Sequence, residues 1–174
     1  PMSPYAIHKL IGEQYCRLFS DLNGIETVCL RYFNVYGPGE NHKAGMASPI
    51  AQFSKQATEN KEIRVFEGSE NFTRDFIHVD DIVKINMHFM RKTNSIGIYN
   101  CGTGKSSSFM DAANIVANES GAKITVIPFP EKLKGKYQSH TQADVSSLKQ
   151  AGFTKPFTSF EEGATSYARI LLDK

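Results

Sequence analysis

The sequence has 174 residues, a length that suggests one domain and allows a sizeable hydrophobic core. Its net charge of +2 is too small to indicate a nucleic-acid partner or a membrane surface. No apolar run approaches the roughly 18 residues that a membrane-spanning helix needs, and no signal peptide is visible. The 3 cysteines and 5 histidines are scattered in a pattern that resembles no zinc site, so we expect no bound metal.

The first predicted elements are a helix, a strand and a second helix. Ser3 supplies a capping hydroxyl, Pro4 suits the first helical position, and apolar residues then recur three and four positions apart. Residues 27–33 are mostly apolar with little alternation, which is typical of a strand buried on both faces in a parallel sheet. Ser48-Pro49 repeats the start signal and predicts a helix that extends to about Asn60.

The rest of the chain alternates short strands with helices. Residues 63–79 are predicted to form two short strands around a turn-rich centre, and Asp80 is predicted to cap the helix that follows. A strand, a glycine loop, a helix capped by Ser108 and another strand come next. Ser159 and Glu162 have the spacing of a capping box at the start of the last helix.

This order of elements predicts the α/β class. The buried strand at 27–33 needs parallel neighbours, and few of the predicted strands can supply them. The first helix also has no predicted strand before it. We therefore expect the remaining strands of the sheet to lie upstream of Pro1.

Tyr5 and Lys9 are four residues apart and therefore share one face of the first helix. A nearby ammonium lowers the pKa of a phenol toward neutrality, so that a phenolate can take a proton from a substrate hydroxyl. The same spacing also occurs on ordinary solvated helix faces. By itself the pair therefore leaves a catalytic and a structural interpretation open.

The sequence around and after this pair resembles that of a known family. Tyr-x-x-x-Lys, a strand ending in RYFNVYGPG, and RDFIHVDDIV together resemble the extended short-chain dehydrogenase/reductase family of nucleotide-sugar enzymes. The resemblance implies an NAD(P)-binding Rossmann-like half, with Tyr5 as catalytic tyrosine and Lys9 at the nicotinamide ribose. Residues 1–35 would then end the Rossmann half. Residues 36–174 would mainly form the small substrate-binding domain, from which about 75–100 returns to the Rossmann sheet.

Within this family, GENHKAGMAS, VFEGSENFTRDF and PFPEKLKGKYQSHTQAD resemble the ADP-L-glycero-D-manno-heptose 6-epimerases. This resemblance implies inversion of an ADP-heptose at C6 through a transient ketone. It also implies tightly bound NADP, with NAD as the alternative, and a cytoplasmic homo-oligomer that serves lipopolysaccharide inner-core synthesis. A UDP-sugar 4-epimerase, a 4,6-dehydratase and a non-catalytic sugar-nucleotide module remain alternatives. Since the cofactor fingerprint would lie upstream, we expect the 174 residues alone to be inactive.

The same resemblance implies the site residues. Inversion through a ketone needs hydride to return to the opposite face, so two acid/base groups serve the two orientations better than one. Lys43 matches this second group and also a cofactor contact, and Val35 matches a position near the cofactor. The implied substrate contacts are Asn34, Phe66, Glu67, Gly68, Ser69, Arg74 and Tyr137. Gly45 and Gln52 occupy two further substrate-binding positions, where other members carry serine and histidine.

Overall fold

The helices and strands confirm the α/β class that the sequence predicts. The computed structural model of the protein describes residues 3–92, 95–135 and 137–173. The helices are α1 (Pro4–Asn23), α2 (Pro49–Asn60), α3 (Val79–Arg91), α4 (Phe109–Ser120), α5 (Ser146–Gln150) and α6 (Phe160–Leu172). The strands are β1 (Val28–Tyr32), β2 (Asn34–Tyr36), β3 (Glu62–Phe66), β4 (Thr73–Arg74), β5 (Phe76–His78), β6 (Gly97–Cys101), β7 (Ser107–Ser108) and β8 (Lys123–Ile127). Two 3₁₀ turns span Asn41–Met46 and Glu131–Leu133.

Helices α1, α2, α4 and α6 begin where capping serines predict them. In each case the serine hydroxyl accepts a hydrogen bond from the backbone N–H three residues further on, and these serines are Ser3, Ser48, Ser108 and Ser159. Asp111 returns a bond to the Ser108 N–H, which completes a capping box at α4. These helix starts therefore follow from hydrogen bonding within a single turn.

Helix α3 begins two residues earlier than the sequence predicts. Its cap is His78, whose Nδ1 accepts a hydrogen bond from the Asp80 N–H at 3.2 Å. The prediction that Asp80 caps this helix is wrong, because an unprotonated imidazole nitrogen accepts a hydrogen bond just as a carboxylate does. Asp80 and Asp81 instead occupy the first turn, where negative charge suits the helix dipole.

The strands pair mainly in parallel and over long sequence separations. β1 pairs with β6, from Val28 opposite Gly97 to Tyr32 opposite Cys101. β2 continues the same run after Phe33 and pairs in parallel with β5. The parallel strand predicted near 27–33 is therefore confirmed, with one parallel neighbour among the described residues. The prediction that it is buried on both faces is wrong, because none of its residues is buried and Tyr32 is 49% exposed. The division of the chain into two domains at residue 36 stays a prediction.

The prediction of two strands across residues 63–79 is wrong. Three strands form there, and each pairs with a different remote segment. β3 is parallel to β8, β4 is antiparallel to β7, and β5 is parallel to β2. The turn between β3 and β4 does not fold the chain back into a hairpin, because the partners of both strands lie elsewhere in the chain.

In the part of the chain that the structure describes, two apolar clusters form the core. The larger cluster lies between α2, α4, α6 and β3, and its fully buried members include Ile50, Ile63, Val116 and Tyr167. The smaller cluster gathers side chains from α3, α5, β5 and β6, and it includes Ile77, Ile85, Cys101 and Leu148. Gly163 lets α6 approach the core closely, since a Cβ there would lie 2.2 Å from the Tyr36 hydroxyl oxygen.

Helix α1 differs from the other long helices because no described residue in it is buried. Its apolar side chains form an exposed stripe, and the most exposed of these are Tyr5, Tyr15, Phe19 and Leu22. Arg31 of β1 donates two hydrogen bonds to Glu13, at 2.6 and 2.7 Å, and so holds the helix to the strand. Within the described ranges, no helix has both the length and the apolarity needed to cross a membrane.

Candidate active site

Tyr5 and Lys9 lie in the first turns of α1, at the spacing that places them side by side. The Lys9 Nζ lies 5.3 Å from the centre of the Tyr5 ring, which is cation–π range. Tyr5 is 71% exposed, so its phenol is open to a ligand. An exposed phenol beside an ammonium offers both a proton-transfer group and a hydrogen-bond donor on one helix face. This donor set fits a ribose and a reacting hydroxyl.

Lys43 lies on the short loop between β2 and α2, within the 3₁₀ turn. Its backbone N–H donates to the Glu40 carbonyl at 2.9 Å, and its Nζ lies 3.7 Å from Glu40 Oε2. The next residue, Ala44, has φ 46° and ψ −124°, which bends the loop sharply. Gly45 follows in the same loop, and its carbonyl accepts a hydrogen bond from Gln52 Nε2 at 3.3 Å.

Asn34 and Val35 lie in β2, directly after the β1 run. Asn34 donates its backbone N–H and its Nδ2 to the Asp75 carbonyl, at 3.1 and 3.3 Å. Its Nδ2 also reaches Thr141 Oγ1 at 3.4 Å. Val35 packs against the smaller apolar cluster opposite Ile77. The parallel β2–β5 pair therefore holds both residues beside the segment that carries Asp75.

Asp75, the fully buried carboxylate between β4 and β5, was not predicted from the sequence. Its Oδ1 accepts from the N–H and hydroxyl of Thr103, and its Oδ2 accepts from the N–H groups of Gly104 and Ala143, all between 2.8 and 3.0 Å. Gly102 leaves room for this arrangement, because a Cβ there would lie 2.7 Å from Asp75 Oδ2. An acid directly before an apolar strand was the available sequence signal.

A cavity of about 300 Å³ brings several predicted substrate contacts together, and its lining includes Gln52, Phe66, Ser69 and Tyr137. Aromatic rings form most of one wall. Phe72 packs 5.0 Å from Tyr137 in this lining, measured between ring centres. Phe129 does not line the cavity but packs 5.7 Å from both Phe66 and Tyr137. Phe72 and Phe129 were not predicted from the sequence, since neither stands out by spacing. This aromatic pocket suits a flat heterocycle such as a nucleobase.

Arg74 lies beside the aromatic pocket. The guanidinium carbon is 5.2 Å from the centre of the Tyr137 ring and 5.5 Å from that of Phe109, so the cation stacks between two rings. Among the described residues, its side chain donates one hydrogen bond, from Nη1 to the Thr73 carbonyl at 2.8 Å. A guanidinium has five N–H donors in a planar fork. The remaining donors therefore suit phosphate oxygens at the rim of the pocket.

The turn after β3 also contributes to the lining of the pocket. Gly68 adopts φ 82°, a conformation that favours glycine. Ser69 is almost fully buried, and its hydroxyl donates to the Phe66 carbonyl at 2.5 Å. The backbone N–H of Glu67 donates to the Ile127 carbonyl of β8 at 2.8 Å. The Ser69 hydroxyl therefore holds the turn in this structure, while the Phe66 ring faces the pocket.

Gln52 connects the aromatic pocket to the Lys43 loop. It lines the pocket, yet its Nε2 donates to the Ala47 carbonyl at 2.6 Å as well as to Gly45. In this structure its amide therefore supports the loop backbone. The structure thus groups Gln52, Phe66, Ser69 and Tyr137 in one cavity, and Gln52 ties the Lys43 loop to it.

The remaining predicted pairing is between Tyr5 and Lys43. Across residues 3–92, 95–135 and 137–173, no hydrogen bond or ion pair joins these two side chains, so their convergence on one substrate carbon stays a prediction. Within the same ranges, no group of three or more His, Cys, Asp or Glu residues could hold a metal ion.

Comparison with known proteins shows which family this chain resembles. The model of the NAD dependent epimerase/dehydratase family matches residues 1–102. The curated ADP-L-glycero-D-manno-heptose-6-epimerase of Brachyspira hyodysenteriae is 44% identical to this chain, over 98% of this chain and 55% of its own length.

Solved structures of epimerases also match this chain. The Helicobacter pylori ADP-L-glycero-D-manno-heptose-6-epimerase matches with a TM-score of 0.83 at 30% identity, over 98% of this chain and 52% of that one. The Thermotoga maritima UDP-glucose 4-epimerase, solved with UDP-glucose, matches with a TM-score of 0.84 at 29% identity, over 97% and 53%. The chain thus spans about half the length of these relatives, and its fold is that of their C-terminal portion.

Proposed function

Because the chain belongs to the NAD dependent epimerase/dehydratase family, we propose that the protein interconverts ADP-D-glycero-D-manno-heptose and ADP-L-glycero-D-manno-heptose at C6. The 44% identity to the Brachyspira hyodysenteriae heptose epimerase carries this choice of substrate. The fold alone does not discriminate, since a heptose epimerase and a UDP-glucose 4-epimerase match with TM-scores of 0.83 and 0.84.

The aromatic pocket supports a nucleoside diphosphate as the binding handle of the substrate. Phe66, Phe72 and Tyr137 offer ring surfaces on which an adenine can stack, and such contacts gain both apolar burial and ring–ring energy. Arg74 would hold the diphosphate with its free guanidinium donors, as a planar fork matches phosphate oxygens. Asn34, the first residue of β2, would then face the sugar.

The proposed chemistry uses two proton-transfer groups. Tyr5 takes the proton from the hydroxyl at C6, and the Lys9 ammonium beside it stabilises the resulting phenolate and binds the ribose of the cofactor. When bound, NADP supplies the hydride acceptor and donor. Lys43 exchanges the proton when the sugar presents its other face. Val35 borders the cofactor from β2. By the same resemblance we propose a cytoplasmic homo-oligomer that serves lipopolysaccharide inner-core synthesis.

The test of this function uses the protein expressed from its complete gene. The protein is incubated separately with ADP-D-glycero-D-manno-heptose and with UDP-glucose, and the stereochemistry at each sugar carbon is followed by proton NMR. We expect inversion at C6 of the heptose and no change in UDP-glucose. Inversion of UDP-glucose alone would replace the proposal with a 4-epimerase.

Replacing Arg74 with methionine should weaken binding of ADP by about 10-fold or more, because hydrogen bonds to charged groups are worth roughly 1.5–3 kcal/mol. Methionine keeps an apolar side chain between the Tyr137 and Phe109 rings, so the pocket should remain packed. Titration calorimetry with ADP measures the effect. Arg91→Met, at the exposed end of α3, is the matched control and should bind ADP as the unsubstituted protein does. Equal affinity of the Arg74 variant would remove the proposed diphosphate contact.

A further inference from the structure

Glu40 is a buried carboxylate that the proposed reaction does not use. It is 3% exposed and lies at the start of the Lys43 loop, directly after the glycine turn that ends β2. A carboxylate that is buried without partners is strongly unfavourable, so the contacts that compensate it are informative. Three parts of the chain meet at this side chain: the Lys43 loop, the start of α2 and α6.

The carboxylate closes the loop onto the start of α2. Glu40 Oε2 accepts from the Ser48 N–H at 2.8 Å, and Oε1 accepts from the Ser48 hydroxyl at 2.5 Å. The same hydroxyl caps α2 by accepting from the Ala51 N–H at 3.3 Å. A negative charge at a helix N-terminus is also favoured by the helix dipole. The eight residues that follow Glu40 are therefore tied at both ends by one side chain.

The same carboxylate holds Lys43. The ammonium of Lys43 lies 3.7 Å from Glu40 Oε2, and its backbone N–H donates to the Glu40 carbonyl at 2.9 Å. The Lys43 side chain is 37% exposed, whereas that of Glu40 is 4% exposed. An ion pair with one buried partner is screened less by water than a surface pair. Glu40 therefore restrains both the backbone and the ammonium of Lys43.

Helix α6 closes the other side of the carboxylate. Burial, together with the nearby negative charge of Glu40, raises the pKa of Tyr167 above its ordinary value. Tyr167 is 1% exposed and therefore remains a neutral phenol near the carboxylate. Ser48 and Tyr167 therefore lie near the carboxylate, and Lys43 is its cationic partner.

We propose that Glu40 is a positioning residue that fixes the ammonium of Lys43 at the place where the second proton transfer occurs. This inference rests on the proposed function, since it assigns Lys43 a part in the reaction. It goes beyond that function by assigning a role to a residue that touches neither substrate nor cofactor. The alternative is a purely structural role, in which Glu40 only ties the loop to Ser48.

The central test compares Glu40→Gln with the unsubstituted protein, both expressed from the complete gene. Glutamine keeps the shape and one acceptor for Ser48 but removes the negative charge. Acetylation of Lys43 by acetic anhydride, followed by mass spectrometry, should become about 3-fold faster. For the heptose substrate, kcat should fall by roughly 10-fold while KM changes by less than about 2-fold. Glu59 is exposed and paired with Lys55, so Glu59→Gln is the matched control. It should change neither the acetylation rate of Lys43 nor kcat.

Ser48→Ala separates positioning from the side-chain part of loop closure, since the bond from the Ser48 N–H to Glu40 remains. This variant removes the hydroxyl contact but leaves the Glu40–Lys43 pair, so Lys43 labelling and kcat should stay close to those of the unsubstituted protein. A rise in Lys43 labelling as large as that in Glu40→Gln would assign the effect to loop closure and overturn the proposal. Unchanged labelling in a folded Glu40→Gln protein would overturn it as well.

Labelling of the unsubstituted protein keeps the test independent of how the variants fold. Lys43 should react about 3-fold more slowly than Lys55, whose own pair is exposed on both sides, and equal rates would contradict the proposal. The labelling experiment does not require turnover. A protein that inverts no heptose but shows the expected labelling would therefore refute the proposed function while leaving the Glu40–Lys43 contact established.

Discussion

Replacing Tyr5 with phenylalanine should lower kcat for heptose inversion by roughly 10²–10⁴-fold, the range typical for loss of a general acid–base group. Phenylalanine keeps the ring beside Lys9 but has no proton to exchange with the substrate hydroxyl. Tyr5 is 71% exposed on α1, so the substitution should leave the folded structure nearly unchanged. The measurement is turnover of ADP-D-glycero-D-manno-heptose by the protein from the complete gene, followed by proton NMR.

Tyr15→Phe is the matched control for this prediction. Tyr15 lies on the same helix and is 58% exposed, and the same hydroxyl is removed there. We expect this variant to retain the kcat of the unsubstituted protein. If Tyr5→Phe retained more than about a tenth of the activity, a proton-transfer role for Tyr5 would be refuted. Circular dichroism of both variants verifies that α1 is intact.

Replacing Asp75 with asparagine should destabilise the protein by about 3 kcal/mol, because buried donors left without an acceptor cost roughly 1–3 kcal/mol each. The Asp75 carboxylate accepts from Thr103, Gly104 and Ala143. In asparagine an NH₂ group replaces one of the two oxygens, and it then faces N–H donors without an acceptor between them. The free energy of unfolding, measured with urea, reports the loss.

The control for Asp75 is Asp144→Asn. Asp144 accepts from the Ser146 N–H at 2.9 Å, and this hydrogen bond is exposed. Water can replace an exposed hydrogen bond, so we expect a much smaller change in the free energy of unfolding than at Asp75. If both variants were equally stable, Asp75 would not be the residue that ties β5 to the loop after β6. Substrate turnover by the Asp75 variant should fall in parallel with its folded fraction.

Neighbouring residues of one motif, and even parts of one side chain, make different contacts in this structure. Arg74 and Asp75 are neighbours in the sequence, yet one faces the aromatic pocket and the other is fully buried among backbone donors. Successive residues of an extended chain point to opposite sides, so a two-residue motif can serve a binding site and the core together. Gln52 also has two contacts, since its terminal amide donates to the backbone of the Lys43 loop and the residue lines the pocket.

Part of the candidate site was predictable from the sequence. The resemblance named Phe66, Ser69 and Tyr137, and these residues line one cavity. Phe72 lines the cavity and Phe129 packs against it, but neither carries a local signal, because an aromatic residue in a loop is equally compatible with a core position. The contact between Glu40 and Ser48 was also not predictable, since the sequence indicates Ser48 only as a helix cap.

Local signals in the sequence by themselves determined where several helices begin, because a serine hydroxyl and the N–H three residues later meet within one turn. The sequence also determined the apolar run that becomes β1 and the spacing that places Tyr5 beside Lys9. The tertiary structure alone decided that β3 pairs with β8 instead of folding back on β4, and that Asp75 reaches Ala143. These contacts join residues more than 60 positions apart, and their formation depends on the packing of the whole chain.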